Sequence, residues 1–228
     1  MTASSALHPM IEAVIFDLDG VLVQSEEVWE RVRRRFVEDN GGTWHQQSHR
    51  HMMGVSTAAW VDYLVSDLGV RLPPDEVAKR VIGELLEDYS RQLPLLPGAV
   101  EAVRGLATEL RLAVASGSPI SLIDAVLRGA SIRGLFEVVV SSDEVAAGKP
   151  APDVYFEACS RLGVEPSRCV VVEDSANGIR SAAAAGTRII AIPNRRYPPE
   201  SEALRLAHAV LPDIRALTPE VMTRLGTV

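Results

Sequence analysis

Cysteine is scarce: only Cys159 and Cys169 occur in the 228-residue chain. Their spacing fits neither a disulfide framework nor a zinc site, so both are expected as buried free thiols. No apolar run approaches the roughly 18 residues that span a bilayer. Residues 1–10 carry neither the basic lead nor the apolar core of a secretory signal, and a cytoplasmic protein with no membrane partner is expected. Positive charge is not in excess either. Twenty-three Lys and Arg stand against thirty Asp and Glu, a net charge of −7, which excludes a general binder of nucleic acid polymers. What remains is an ordinary globular composition, 47% hydrophobic and 23% charged. A chain of this size buries roughly 70–75% of its unfolded surface, enough for one core or a core with a small satellite.

The chain is organised around residues 13–22, Ala-Val-Ile-Phe-Asp-Leu-Asp-Gly-Val-Leu. Four apolar residues without a polar break suit a strand covered on both faces. The run then ends in Asp17 and Asp19, two positions apart, and Gly20, which lets backbone approach a ligand or take positive φ. Open α/β sheets place ligand sites at such carboxyl ends. A calcium loop does not fit, because Val21-Leu22-Val23 follows where further oxygen ligands would have to stand.

Downstream, the periodicity predicts helices over 26–39 with Ser25 as cap, over 57–68, and from Pro73-Pro74 to about Arg91. The run Arg33-Arg34-Arg35 reads as a solvated helix face, with Glu27/Arg31 and Glu30/Arg34 at i,i+4 spacing. Residues 43–53 read as a polar loop. Its histidines, His45, His49 and His51, have no carboxylate or cysteine at regular ligand spacing. From Gly98 onward strands near 112–115, 138–140, 169–172, 188–192 and 209–211 alternate with helices, the pattern of a parallel sheet with right-handed crossovers. The fold class is therefore α/β: a Rossmann-like three-layer core formed by 1–22 and 96–228, with an inserted all-helical cap over 23–95.

A parallel sheet brings its strand ends to one edge. There the sequence offers Asp17 and Asp19, Ser116 with Gly117, Lys149, and Glu173 with Asp174. Each alone has an ordinary explanation as a helix cap or loop residue. Together they form an acidic pocket in which each pair of unit charges at 4 Å costs on the order of 4 kcal/mol at an effective dielectric near 20. One lysine does not offset that, whereas a hard divalent cation does, and oxygen-only ligands select magnesium. Ser116, backbone N–H groups after Gly117, and Lys149 supply donors for a phosphate. Metal-assisted phosphoryl transfer follows.

The motifs Phe-Asp-Leu-Asp-Gly-Val-Leu at 16–22, Ala-Ser-Gly-Ser at 115–118, Gly-Lys-Pro-Ala-Pro-Asp at 148–153 and Val-Glu-Asp-Ser-Ala-Asn-Gly at 172–178 closely resemble the haloacid dehalogenase-like hydrolase superfamily. The resemblance points to the helical-cap branch containing β-phosphoglucomutase and phosphoglycolate phosphatase-like proteins. It implies Asp17 as the nucleophile that becomes an aspartyl-phosphate, and Asp19 as the acid and then base. It also implies Mg2+ held by Asp17, the Asp19 backbone carbonyl and Asp174, with Glu173 behind them. Phosphate is expected on Ser116, Gly117 and Lys149. A 2-haloacid dehalogenase is set aside, since members of that activity lack the second Asp.

The expected partner is a small phosphorylated metabolite, and the expected assembly a monomer. Trp29, His51, Met53 and Trp60 are the candidates to contact the leaving group. Two departures weigh against a mutase. Thr57 follows Gly54-Val55-Ser56 where the mutase has arginine, and Trp29 stands where it has histidine. A magnesium-dependent phosphatase leads, with the mutase and a catalytically silent binder as alternatives.

Overall fold

A computed structural model describes residues 11–226. Residues 1–10, read above as carrying no signal sequence, lie outside the described residues. The central strand β1, Ala13–Phe16, is buried along its whole length. Between it and the second strand come only helices: α1 Glu26–Asp39, the short α2 Ser48–His51, α3 Thr57–Asp62, α4 Pro74–Arg91 and α5 Ala99–Leu106. Strand–helix alternation then follows, with β2 Arg111–Ser116, α6 Ile120–Gly129, β3 Val138–Ser141, α7 Asp153–Leu162, β4 Cys169–Glu173, α8 Ala176–Ala184, β5 Arg188–Ala191, α9 Ser201–Leu204, β6 Ala209–Val210 and α10 Pro219–Gly226.

The six strands form one parallel sheet in the order β3-β2-β1-β4-β5-β6. Side chains alternate across it, as period-two geometry requires. Val14, Phe16, Val114 and Val172 join a core with α5, α6 and α10, while Ile15, Ala113, Ala115 and Val171 join a second core under α7 and α8. These are the two outer layers of a three-layer α/β fold. The helices of residues 26–91 extend the first of those cores. The order of strands reverses between β1 and β4, and at such a switch point the diverging connections leave a crevice outside the strand ends.

Several expectations change. Ser25 precedes α1 but makes no side-chain capping bond, because its backbone is already helical at φ −86°, ψ −22°. The helix expected over 57–68 is α only to Asp62 and continues as a wider π turn over Tyr63–Asp67. The polar stretch expected as a loop contains α2, whose His49 is buried with Nε2 2.7 Å from Glu26 Oε2. The expected i,i+4 pairs on α1 are replaced by Arg31–Asp88 at 2.6 Å and Arg34–Glu38 at 3.0 Å, while Glu27 and Glu30 turn to Arg196 at 2.8 and 3.3 Å. Arg33 is not on a solvated face at all; it is buried. Cys159 and Cys169 are buried free thiols, as expected. Among the described residues no helix is long and apolar enough to cross a membrane.

Candidate active site

Asp17 follows β1 directly, its N–H still donating to the Val172 carbonyl of β4 at 3.0 Å, so the sheet ladder itself fixes its position. The chain then folds back tightly: Gly20 donates to the Val23 carbonyl at 2.8 Å, and Leu22 to that of Leu18 at 2.8 Å. Gly20 has φ +77°, and a Cβ there would lie 1.8 Å from Asp174 Oδ2. Only glycine lets the first strand end approach the acidic end of β4 this closely.

Lys149 arrives from the loop after β3 and is buried. Its Nζ donates to Asp17 Oδ1 at 2.8 Å, to Glu173 Oε1 at 2.7 Å and to the Ala115 carbonyl at 3.2 Å. It also lies 4.8 Å from the centre of the Tyr155 ring, whose hydroxyl donates to Glu173 Oε1 at 2.7 Å. Glu173 Oε2 accepts from the N–H groups of Asp174 and Ser175 and from Ser175 Oγ, all at 3.0 Å. Both Glu173 oxygens are thereby occupied.

The electrostatics follow from this packing. Burial would raise the Glu173 carboxyl, but Lys149 and the surrounding donors hold it below its ordinary range. Burial would lower the Lys149 ammonium, yet Asp17 and Glu173 keep it above its ordinary value. Burial pushes Asp17 up to about 8, against the pull of Lys149 and with the help of Glu173 and Asp19. Asp174 is pushed well up by burial and by Glu173, Glu26 and Asp17.

Oxygens of Asp17, Glu173 and Asp174 lie within 4.8 Å of one another. Three buried carboxyl groups share one nearby ammonium, so their full ionisation calls for a further positive charge, and their oxygen-only donor set suits a hard divalent cation. Asp17 and Asp174 retain acceptor capacity for it; Glu173, already saturated by donors, is suited to hold its neighbours in place. The Asp19 side chain stands outside the trio, so an Asp19 contribution falls to its backbone carbonyl.

Asp19 is gripped from both sides. Ser118 Oγ donates to Oδ2 at 2.6 Å, with Ser116 Oγ at 3.4 Å, and the indole N–H of Trp29 donates to Oδ1 at 3.2 Å. Gly117 lies under the loop before α3, where a Cβ would meet the carbonyls of Gly54 and Val55 at 2.9 Å. Over the strand ends lies a cavity of about 30 Å3, lined by Asp17, Asp19, Ser116, Gly117 and Asp174 from the sheet side, by Trp29, Arg33 and Trp60 from the helices, and by Met53 from the turn after α2.

Of the four side chains expected to face a leaving group, Trp29, Met53 and Trp60 line this cavity. His51 does not. It is exposed, with Nδ1 3.0 Å from the Tyr63 hydroxyl, and borders a separate groove with Arg50 and Tyr197. Met53 borders both that groove and the cavity. Sequence reasoning missed Ser118, Arg33 and Glu26 as cavity residues. Positions 26, 29 and 33 share one face of α1, so the face that carries Trp29 contained the signal for the other two.

A family model of haloacid dehalogenase-like hydrolases matches residues 11–186. Among curated proteins, the phosphorylated carbohydrates phosphatase of Thermotoga maritima is 34% identical over 177 residues, covering 77% of this chain and 82% of that protein. Hexitol phosphatase B of Escherichia coli strain K12 is 34% identical over 190 residues, 80% of this chain and 84% of its own. Among solved structures, CbbY from Rhodobacter sphaeroides in complex with phosphate superposes with a TM-score of 0.83 at 27% identity, over 94% of this chain and 100% of that one. The family match over residues 11–186 and these relatives show that the chain belongs to the haloacid dehalogenase-like hydrolases.

Proposed function

We propose that this hydrolase is a magnesium-dependent phosphatase of small phosphorylated metabolites, working through an aspartyl-phosphate on Asp17. The observation that carries the proposal is the placement of two acids around one pocket. Asp17 is fixed by Lys149 with one oxygen free of it, and Asp19, two residues on, is held by Ser118 and Trp29. The first is set to attack and the second to exchange a proton with the leaving oxygen.

In this reading the free oxygen of Asp17 attacks phosphorus in line as the P–O bond to the leaving group breaks. Asp19 delivers its proton to that oxygen, then takes one from the water that hydrolyses the aspartyl-phosphate. Ser116, the N–H groups after Gly117, and Lys149 hold the equatorial phosphoryl oxygens. Asp17, Asp174 and the Asp19 carbonyl would hold Mg2+, which when bound neutralises charge on the transferred group. Residues 23–95 act as a cap that closes on the core of 1–22 and 96–228, excluding bulk water and selecting the leaving group. The protein is proposed to act as a cytoplasmic monomer, and its acidic balance disfavours nucleic acid polymers as substrates. The two relatives named for phosphatase activity support a sugar-phosphate class of substrate.

A mutase is the second reading, and one observation favours it: a cation, Arg33, lines the cap side of the cavity. Against it, Thr57 stands in place of the mutase arginine and is engaged by Asp143, through N–H to Oδ1 at 2.9 Å and Oγ1 to Oδ2 at 2.7 Å. The deciding experiment is phosphate release from a panel of sugar phosphates, nucleotides and small organic phosphates, with magnesium or EDTA, alongside isomerisation of a hexose 1-phosphate. Magnesium-dependent release abolished by Asp17→Asn supports the phosphatase. Isomerisation without comparable release replaces it with the mutase, and a protein inert in both assays whose Asp17 never becomes phosphorylated is a silent binder.

A further inference from the structure

Among the described residues Arg33 is the one cationic side chain lining the cavity over Asp17, and it is 4% exposed. Its Nε makes no hydrogen bond, and among the described residues no carboxylate lies within ion-pair distance of it. The acids nearest in charge are engaged elsewhere: Glu26 lies against His49 at 2.7 Å, and Asp19 accepts from Trp29 and Ser118. Burial lowers the guanidinium to about 9 while Glu26 and Asp19 pull it back up, so it stays charged at neutral pH.

A buried charge without a hydrogen-bonded partner is strongly unfavourable unless something offsets it. Here two aromatic faces do part of that. The guanidinium carbon sits 4.0 Å from the centre of the Trp29 ring and 4.9 Å from that of Trp60. Stacking occupies the flat face of the group and leaves its N–H edge, the part that matches the spacing of two oxyanion oxygens. Arg50 and His51 border a different groove.

We infer that Arg33 is the specificity residue of this site, pairing with a second oxyanion, carboxylate or phosphate, carried by the leaving group of the substrate. The inference rests on the phosphoryl-transfer reading above and narrows its substrate to compact phosphate esters with an anionic leaving group. A cavity of about 30 Å3 is smaller than such a substrate, so in this inference the helices open to admit it and close again over it. Closure would bring the anion to Arg33 and Trp29 to Asp19 in one movement.

The test uses two substrate pairs that differ chiefly in the second anion: 3-phosphoglycerate against glycerol 3-phosphate, and fructose 1,6-bisphosphate against fructose 6-phosphate. The full-length enzyme should prefer the anionic member of at least one pair in kcat/KM. Arg33→Met should lower that value for the anionic member by ~10- to 150-fold more than for the neutral member, in the range of lost charge-assisted hydrogen bonds. Arg33→Lys, which keeps charge but loses the fork, should fall between. A preference confined to one pair supports the inference and names the anion as carboxylate or phosphate.

Calorimetric binding of the same four compounds to Asp17→Asn supplies a readout independent of turnover. Anion preference in binding that Arg33→Met removes, with no turnover by the unmutated enzyme, overturns the phosphatase but upholds the anion site. Turnover without anion preference, equal losses on both members of each pair, or no preference in either readout overturns the inference.

Discussion

The indole N–H of Trp29 donates to Oδ1 of Asp19 at 3.2 Å, linking the first helix after β1 to the second acid of the strand end. Trp29→Phe keeps an aromatic face toward Trp60 and Arg33 and removes that bond. A hydrogen-bond contribution of about 1 kcal/mol corresponds to roughly a 5-fold loss. Because the bond orients the acid proposed to move a proton, the loss should fall mainly on kcat. Steady-state kinetics would check it, and a change confined to KM would refute it.

Asp17 and Asp19 should separate in kinetics. Asp17→Asn is expected to abolish turnover, since no nucleophile of equal position remains. Asp19→Asn should lower kcat by ~10²- to 10⁴-fold, the usual contribution of general acid–base catalysis. With an activated leaving group such as 4-nitrophenol, the Asp19 variant should still release a burst of leaving group and accumulate phosphorylated Asp17, which mass spectrometry of quenched protein would detect.

Lys149 carries structural as well as proposed catalytic weight. Its Nζ bridges Asp17 and Glu173 at 2.8 and 2.7 Å, and all three groups are buried. Lys149→Met leaves two carboxylates without their counter-charge, and removing one partner from a buried ion pair costs about 3–5 kcal/mol. Urea unfolding should show that loss in the absence of magnesium. A shift under about 1 kcal/mol would contradict the geometry.

Magnesium should stabilise the fold, and more so as pH rises. Asp17 is pushed up to about 8 from an ordinary 3.8, and Asp174 is raised too. A carboxyl raised in the folded state holds a proton that the unfolded chain has lost, so metal-free stability falls as pH climbs between those values. A cation favours the ionised folded form and offsets the fall across the same window. At a hundred times its Kd it contributes about 2.7 kcal/mol, or roughly 5–10 °C in Tm for a chain this size. Thermal melts at pH 8 should show the full shift, reversed by EDTA, and melts at pH 5 a smaller one; a larger shift at pH 5 would contradict the assignment of these carboxylates.

Much of the fold was legible because it depends on local rules. Apolar runs covered on both faces read as parallel strands, and β1, β2 and β4 form within a residue or two of where their apolar runs place them. Glycine and proline mark most helix limits. The acids of residues 17–19 and 173–174 end adjacent strands because β1 and β4 are neighbours, and a parallel sheet brings its ends to one edge. The family motifs then name the chemistry to look for there.

Arg33 shows where that reading stops. By itself, the sequence determined the sheet, the strand ends and the acids, since period-two burial and chain breaks are written in consecutive residues. It also determined that α1 is a helix, but not which of its arginines faces inward. Arg31 and Arg34 find acids at the surface, whereas Arg33 is seated on Trp29 and Trp60, the latter about thirty residues further along. His49 is buried by Glu26, and Asp19 is held by Ser118 and Trp29, through contacts of the same long-range kind. Only the tertiary structure decided these, because a polar side chain is buried or solvated according to what a distant segment brings against it.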